Sequence, residues 1–170
     1  MKSLLAAGAA ACLAVACSSM GGGGASGPKA VAKLDPTKGN EVRGTVTFTQ
    51  KGDAVHVDTV LTGLSPGSQH GIHVHEKGDC SAPDGTSAGG HYNPKASPHG
   101  PQSGPHHEGD MPNVQAGSYG GTNSSFDIAG VKVADLVGKS VIVHRDADDY
   151  ASQPAGNSGP RVACGVIQAA

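Results

Sequence analysis

Apolar and polar side chains alternate with a period of two along much of the chain from residue 30 onwards. In the stretch EVRGTVTFTQ, Val46 and Phe48 alternate with threonines, as expected for a strand that buries one face. The segment KGD at 51–53 predicts a hairpin connection, after which AVHVDTVL resumes the alternation with Val55 and Val57 facing inwards. The pattern therefore predicts two adjacent antiparallel strands.

Further strands are predicted on both sides of this hairpin. A short strand around AVAKL precedes it and turns at DPTKGN, and GIHVH extends the series to a fourth strand. Strand patterns return at SSFDIAG, KSVIVH and RVACGVIQ, and the β-branched residues of VIVH predict a buried strand that ends at His144. No segment has the periodicity of a good helix.

Two long segments, 76–125 and 145–160, interrupt the strands. Gly, Pro, Ser, Asn, Asp and His dominate the first, which shows almost no apolar periodicity. Structureless loops of this length are uncommon unless they are functional or disordered. The chain is therefore predicted to be all-β, an antiparallel sandwich or barrel whose long loops carry the function.

The composition narrows the class of protein. The 170 residues include 27 glycines and 11 prolines but no tryptophan, which favours one turn-rich domain over a helical bundle. The formal net charge is −2, and no run of Lys and Arg indicates a nucleic-acid partner. Beyond the N-terminal leader, no apolar stretch is long enough to span a bilayer.

The N-terminal residues have the pattern of a secretory leader. Residues 1–16 carry an early lysine, an apolar run and small residues at the end, which predicts a signal peptide. The sequence Ala-Val-Ala-Cys resembles a bacterial lipobox, so Cys17 is a candidate for lipidation and membrane attachment; plain cleavage after an Ala-x-Ala pattern is the alternative. The composition of residues 17–29 predicts a flexible Gly/Ser-rich tether, and residues 30–170 form the predicted domain. Because of the leader, this domain is expected to be exported to the periplasm or cell envelope.

Cys80 and Cys164 are the only cysteines beyond the leader and its cleavage point. In an oxidising compartment such an even pair predicts a disulfide, worth about 4 kcal/mol in the chain-entropy model because the closed loop is long. Two free buried thiols are the alternative.

Nine histidines make metal binding the chemistry to consider. His73 and His75 are two residues apart on a predicted strand, so both rings point to one face about 6.6 Å apart. This pair alone also suits an exposed polar face.

A second candidate site lies in the first loop, where three imidazoles and a carboxylate suit a tetrahedral zinc ion: His91, His99, His107 and Asp110. A His-rich tract that binds metal loosely is the alternative. His144 would complete an imidazole-rich site of the kind that suits Cu(II), if its strand neighbours that of His73.

The motifs HGIHVHEKGD, GGHYNP, HEGDMPN, VIVHRDADD and GNSGPRVACGVI, in this order, resemble the copper/zinc superoxide dismutase family, in particular its exported bacterial branch. The resemblance covers about residues 30–168. It implies an eight-stranded antiparallel Greek-key barrel of immunoglobulin-like type with two long functional loops. It also implies one copper and one zinc ion per subunit and superoxide as the substrate. Members of this branch are monomers or homodimers.

The resemblance assigns a role to each motif residue. The implied copper ligands are His73, His75, His91 and His144, and the implied zinc ligands are His91, His99, His107 and Asp110. His91 is thus the bridge between the two ions. His107 is preferred to His106 because only His107 fits the pattern His-x-Gly-Asp.

The remaining implied roles lie around the metals. Asp148 matches a carboxylate that links His73 to His99, with Asp149 as the competing candidate. Arg161 matches the arginine that attracts and orients the anion, its alternative being an ordinary surface charge. His91 and Arg161 are therefore the implied catalytic residues.

The other histidines receive no metal. His70 matches a structural, loop-bracing histidine, His56 is expected to face solvent, and His106 has no assigned role.

The segment 145–160 departs from the family's eukaryotic members because it contains no lysine. Lysines in this segment guide superoxide in those members, so electrostatic steering of the anion here must either come from elsewhere, with Lys77, Lys95 and Lys139 as candidates, or be weaker. The function that the resemblance implies is the disproportionation of two superoxide anions to O₂ and H₂O₂ by copper cycling between Cu(II) and Cu(I), which would protect the cell envelope. The alternative function is a non-catalytic copper or zinc binding or delivery protein on the same fold.

Overall fold

The alternating pattern of the sequence becomes a single curled antiparallel sheet of seven strands. The computed structural model describes residues 27–170; the predicted signal peptide and Cys17 lie outside this range. In chain order the strands are β1 (Lys29–Pro36), β2 (Arg43–Lys51), β3 (Ala54–Thr62), β4 (Gln69–His70), β5 (Ile72–His75), β6 (Val114–Gln115), β7 (Thr122–Ala129), β8 (Ser140–His144) and β9 (Arg161–Ala169). The sheet has the order β5-β8-β9-β1-β2-β3-β7.

The predicted hairpin and its flanking strands are confirmed. β2 and β3 pair from Arg43↔Thr62 to Lys51↔Ala54, and the chain turns at Gly52 with a positive φ of 60°. The inward residues Val46 and Phe48 are completely buried, because the period of two puts them on the face that meets the core. β1 begins at Lys29, so the last residue of the predicted tether belongs to the first strand.

The strand GIHVH does not extend the first three strands. β5 lies at the opposite edge of the sheet and pairs with β8, and β7 takes the place beside β3. The chain thus passes from β3 to the far edge, returns to β7 and crosses again to β8. Alternation identifies a strand and its buried face, but it does not identify the partner strand.

Within residues 27–170, the sheet has seven strands and not the eight that the resemblance implies. The short strands β4 and β6 pair only with each other, over two residues each. The segment after β6 contains Gly117, Gly120 and Gly121, and Gly120 has a positive φ of 71°. Glycines of this kind favour turns over a longer ladder. One turn of α-helix, α1 (Val133–Leu136), was not predicted. None of the helices within the described range is long and apolar enough to cross a bilayer.

The first long loop covers the free edge of β5. Val74 N–H donates to Gly109 O at 2.8 Å, and Tyr92 N–H donates to Val74 O at 2.8 Å. Isolated bridges also pair His73 with Asp110 and His75 with His91. The loop therefore brings its polar residues alongside the two strand histidines.

The predicted disulfide between Cys80 and Cys164 is confirmed. The two Cα atoms are 5.8 Å apart and 84 residues apart in the chain. Ala88 and Ile142 pack with Cys164 in a small apolar cluster beside it. The bond ties the first long loop to β9, three residues after Arg161.

Replacing both cysteines by serine should lower the free energy of unfolding of the metal-free protein by about 4 kcal/mol, because the unfolded chain regains the freedom lost in a long closed loop. Guanidinium unfolding of the wild type and the Cys80→Ser/Cys164→Ser variant measures this difference. The wild type under reducing conditions is the control and should match the variant. A loss below about 1 kcal/mol would contradict the expectation.

Candidate metal centre

Four histidines converge at one end of the sheet. His73 and His75 are on the same face of β5, and β8 lies beside β5 with Ile142 opposite His73, so His144 at the end of β8 lies close to both. The bridge to His75 adds His91 from the loop. One nitrogen from each ring lies within 4.8 Å of the others. The structure thus brings together the four implied copper ligands.

Each of these rings has one nitrogen held by the protein and one left without a partner. His75 Nδ1 donates to Gly89 O at 2.9 Å, and His144 Nδ1 donates to Gly159 O at 3.1 Å. Both rings therefore expose a lone pair on Nε2, and these two atoms are buried without any hydrogen bond. His73 Nδ1 and His91 Nε2 are equally buried and unpartnered.

Unpartnered buried nitrogens are costly unless a ligand occupies the space between them. Four imidazole lone pairs facing one another are the donor set that a copper ion takes. The residues present therefore fit a copper ion.

Burial keeps the imidazoles of His73, His75 and His144 in the neutral form that can bind a metal. It lowers the pKa of His73 and His75 well below its usual value and that of His144 to about 4. Protonated neighbours would add repulsion, which lowers these pKa values further. These three rings are therefore uncharged at neutral pH, as metal binding requires.

A second group shares His91 and lies entirely in the first loop. It consists of His91, His99, His107 and Asp110. Asp110 Oδ1 lies 2.8 Å from His91 Nδ1 and 3.3 Å from His107 Nδ1, and Asp110 Oδ2 lies 3.0 Å from His99 Nδ1. The Nδ1 atoms of His91 and His107 are 3.3 Å apart.

These separations fit a tetrahedral zinc ion. A tetrahedron with zinc–ligand bonds of about 2.0–2.1 Å has edges of about 3.3 Å. His99 Nδ1 makes no hydrogen bond despite its nearness to Asp110, so its lone pair is free for an ion. His91 presents one nitrogen to each group, and an imidazole between two cations can lose both ring protons.

Asp110 is held as a carboxylate. Its burial opposes ionisation, but hydrogen bonds from the His91 ring and from the backbone N–H groups of His107 and Gly100 lower its pKa well below the usual value. The second ligand group, which has the donors of a zinc site, therefore contains one negative charge beside three imidazoles.

Asp148 joins the two groups. Its Oδ2 accepts from His73 Nε2 at 2.8 Å and its Oδ1 accepts from His99 Nε2 at 2.9 Å. Asp149 instead accepts four hydrogen bonds within its own loop, from residues 151, 152 and 157. The structure therefore places Asp148, and not Asp149, between the two histidines.

Asn113 is a site residue whose role the sequence did not indicate, although it ends the motif HEGDMPN. Its Nδ2 donates to Asp148 O at 2.8 Å, and its Oδ1 accepts from Asp148 N–H at 2.9 Å. Its own N–H donates to Tyr150 Oη at 2.7 Å. Only the fold brings these residues together, because they are 35 to 37 residues apart.

Arg161 lines a cavity of about 360 Å³ together with His75, His91 and His144. Its guanidinium donates to Gly85 O at 2.7 Å and to Gly89 O at 2.6 Å, which fixes its position against the disulfide loop. Gly89 O thus accepts from both His75 and Arg161. The structure places Arg161 at the cavity rather than on an open surface.

No lysine of residues 27–170 lines this cavity. Lys95 pairs with Glu108 at 2.8 Å, Lys139 Nζ lies 4.1 Å from the centre of the Tyr92 ring, and Lys77 is exposed. These lysines could act on an anion only at long range.

The other histidines lie outside both groups. His70 Nδ1 donates to His144 O at 2.9 Å, which agrees with a bracing role. His56 is partly exposed and pairs with Asp127 at 2.6 Å, and His106 Nδ1 donates to Gly104 O at 2.7 Å.

Asp148→Asn should weaken zinc binding by about 10- to 100-fold. Each carboxylate oxygen of Asp148 accepts from one histidine, whereas an asparagine has one accepting oxygen and would turn its NH₂ group towards the N–H of either His73 or His99. Competition with a zinc chelator measures the affinity. Asp149→Asn is the matched control and should remain within about threefold of the wild type. Equal losses in both variants would contradict a specific role for Asp148.

Comparison with known proteins agrees with this geometry. The family model described as copper/zinc superoxide dismutase matches residues 42–167. A superoxide dismutase [Cu-Zn] of Deinococcus radiodurans is 39% identical over 153 residues, covering 80% of this chain and 81% of that protein. The superoxide dismutase [Cu-Zn] of Paramecium bursaria Chlorella virus 1 is 38% identical over 137 residues, covering 74% and 72%.

Relatives from Bacillus subtilis carry a different name. The superoxide dismutase-like protein YojM is 38% identical over 115 residues, covering 61% of this chain and 58% of that protein. The crystal structure of a double mutant of a superoxide dismutase-like protein from B. subtilis superposes with a TM-score of 0.73 at 34% identity, covering 81% of this chain and 96% of that one. The match over residues 42–167 and the 39% identity to the Deinococcus enzyme show that this chain belongs to the copper/zinc superoxide dismutase family, whose members are oxidoreductases that use copper and zinc.

Proposed function

We propose that this chain disproportionates superoxide, converting two superoxide anions and two protons into O₂ and H₂O₂. The observation that carries this proposal is the pair of ligand groups sharing His91, with Arg161 on the wall of the same cavity. A copper ion held by His73, His75, His91 and His144 would supply one-electron chemistry by alternating between Cu(II) and Cu(I). A zinc ion held by His91, His99, His107 and Asp110 would hold the loop in place.

The residues of the chain supply binding and proton transfer. Arg161 offers a permanent positive charge that binds and orients the superoxide anion beside His75 and His144. His91 Nε2 would carry a proton when it holds no metal and lack it when it does, so this atom would deliver a proton to the reduced product. Water supplies the second proton.

A non-catalytic copper or zinc binding or delivery protein is the second candidate. The name of the B. subtilis relative, superoxide dismutase-like, favours it. A protein that had lost catalysis would be expected to lack a copper ligand, the bridge or the arginine. The presence here of all four imidazoles and of Arg161 favours the enzyme.

Metal analysis of the mature protein should give about one copper and one zinc per chain, with superoxide dismutation that His144→Ala lowers by more than about 100-fold. Loss of a ligand should exceed the roughly 10- to 100-fold cost of losing only an outer hydrogen-bond partner. His56→Ala, which changes a histidine outside both ligand groups, is the control and should keep full activity. Full activity without copper would overturn the proposal, and stoichiometric copper without activity would favour the delivery protein.

We also propose that the mature chain is exported and held at the cell envelope by a lipid on Cys17, where it would remove superoxide. The apolar leader, the Ala-Val-Ala-Cys sequence and the Gly/Ser-rich residues after it support this. The disulfide between Cys80 and Cys164 suits an oxidising compartment.

Mass spectrometry of the membrane fraction should find a diacyl or triacyl group on Cys17 as the first residue. Cys17→Ser should move the protein out of the membrane fraction, because the acylated thiol is its attachment. Soluble wild-type protein that begins at Cys17 without lipid would contradict the attachment.

A further inference from the structure

The side chain of Gln153 joins the second long loop to the backbone of His99 at two points. Its Nε2 donates to His99 O at 2.9 Å, and its Oε1 accepts from His99 N–H at 2.9 Å. The two residues are 54 apart in the chain. We infer that Gln153 is a positioning residue that holds His99 in the geometry for zinc.

The partners of this contact differ in burial. His99 is 3% exposed, whereas Gln153 lies at the surface. Within residues 27–170, no other hydrogen bond involves the His99 backbone N–H or C=O. Removing the amide of Gln153 therefore leaves two buried backbone groups unpaired, which favours a shift of the His99 backbone towards new partners.

The His99 ring can shift only at the expense of its other contacts. His99 Nε2 is held by Asp148 at 2.9 Å, and His99 Nδ1 points to the second ligand group. Gly156 packs against this hydrogen bond so closely that a Cβ would overlap the Asp148 carboxylate. The ring is therefore fixed through Asp148 and the backbone through Gln153, and a zinc ligand needs both to keep its direction.

Gln153 also connects the second ligand group to the wall of the cavity that Arg161 lines. Pro154 and Ala155, the next two residues, line that cavity together with Arg161. The contact therefore ties the zinc ligand His99 to the surface over which an anion would pass.

Gln50 offers a matched control. Its amide likewise pairs with backbone groups, donating to Gly52 O at 2.8 Å and accepting from Val133 N–H at 2.9 Å. These partners lie in the β2–β3 hairpin and at the start of α1, outside both ligand groups. Gln50→Met and Gln153→Met thus remove the same kind of contact at different places.

The experiment measures the rate at which protein loaded with copper and zinc loses zinc to a chromophoric chelator. Gln153→Met should lose zinc about 10- to 100-fold faster than the wild type, the cost typical of losing an outer partner of a metal ligand. Gln50→Met should stay within about twofold. The unfolding midpoints of the two metal-free variants are measured as well. Zinc loss that is faster in Gln153→Met at an equal midpoint reflects the position of His99 and not a lower stability of the whole fold.

Cobalt(II) in the zinc position gives a second readout, because its visible bands report the ligand geometry directly. The bands should change in Gln153→Met and remain unchanged in Gln50→Met. If Gln153→Met does not fold, Gln153→Glu, which keeps the length and the accepting oxygen but loses the donor, is tested in the same way. Wild-type zinc loss and an unchanged cobalt spectrum in the Gln153 variant would overturn the role.

Because this role rests on the zinc group of the proposed function, the wild type is measured first. Wild-type protein that takes up no zinc would overturn both. A wild type that binds zinc but does not dismute superoxide would contradict the proposed activity alone, and the zinc-loss rates would still decide the role of Gln153.

Discussion

The buried carboxylate of Asp148 holds together segments that lie far apart in the chain. A buried carboxylate is stable only where donors surround it, and here they come from His73, His99 and the Tyr150 backbone. Each imidazole donates its Nε2–H, so its lone pair is left on Nδ1 and faces a ligand group. One side chain thus sets the tautomer of one ring in each group and the relative position of β5 and the two long loops.

The sheet and the loops have different sources of stability. The main apolar core consists largely of strand residues such as Phe48, Val74 and Val141, packed between the faces of the curled sheet. The loops contribute little to it and consist mainly of turns, glycines and hydrogen-bonded polar groups. Bound metal can provide the free energy that an apolar core would otherwise supply. The disulfide joins these two parts at β9.

The local patterns of the sequence predicted most strands and the His73–His75 pair, because both depend on the period of two. The sequence of the first loop also suggested the second ligand group, because three imidazoles and a carboxylate suit a zinc site. Only the resemblance decided between that site and a loosely binding His-rich tract, and it alone made His91 the shared residue. The place of β5 at the far edge and the lack of an eighth strand in the sheet were not predicted, because strand pairing is a long-range choice. The contacts of Asn113 and Gln153 with backbone groups could not be predicted from the sequence, because an amide side chain does not show which distant backbone group it contacts.

The carbonyl of Gly89 accepts from His75 and from Arg161, so one peptide plane sets the spacing between a histidine of the first ligand group and the guanidinium on the cavity wall. Gly89 has φ 75° and ψ −152°, a conformation that is essentially restricted to glycine, and a Cβ there would meet the Glu76 side chain. Substitution at residue 89 therefore cannot move His75 and Arg161 independently of each other. The cavity lining can still vary at Pro154 and Ala155, which hold neither His75 nor Arg161 in place.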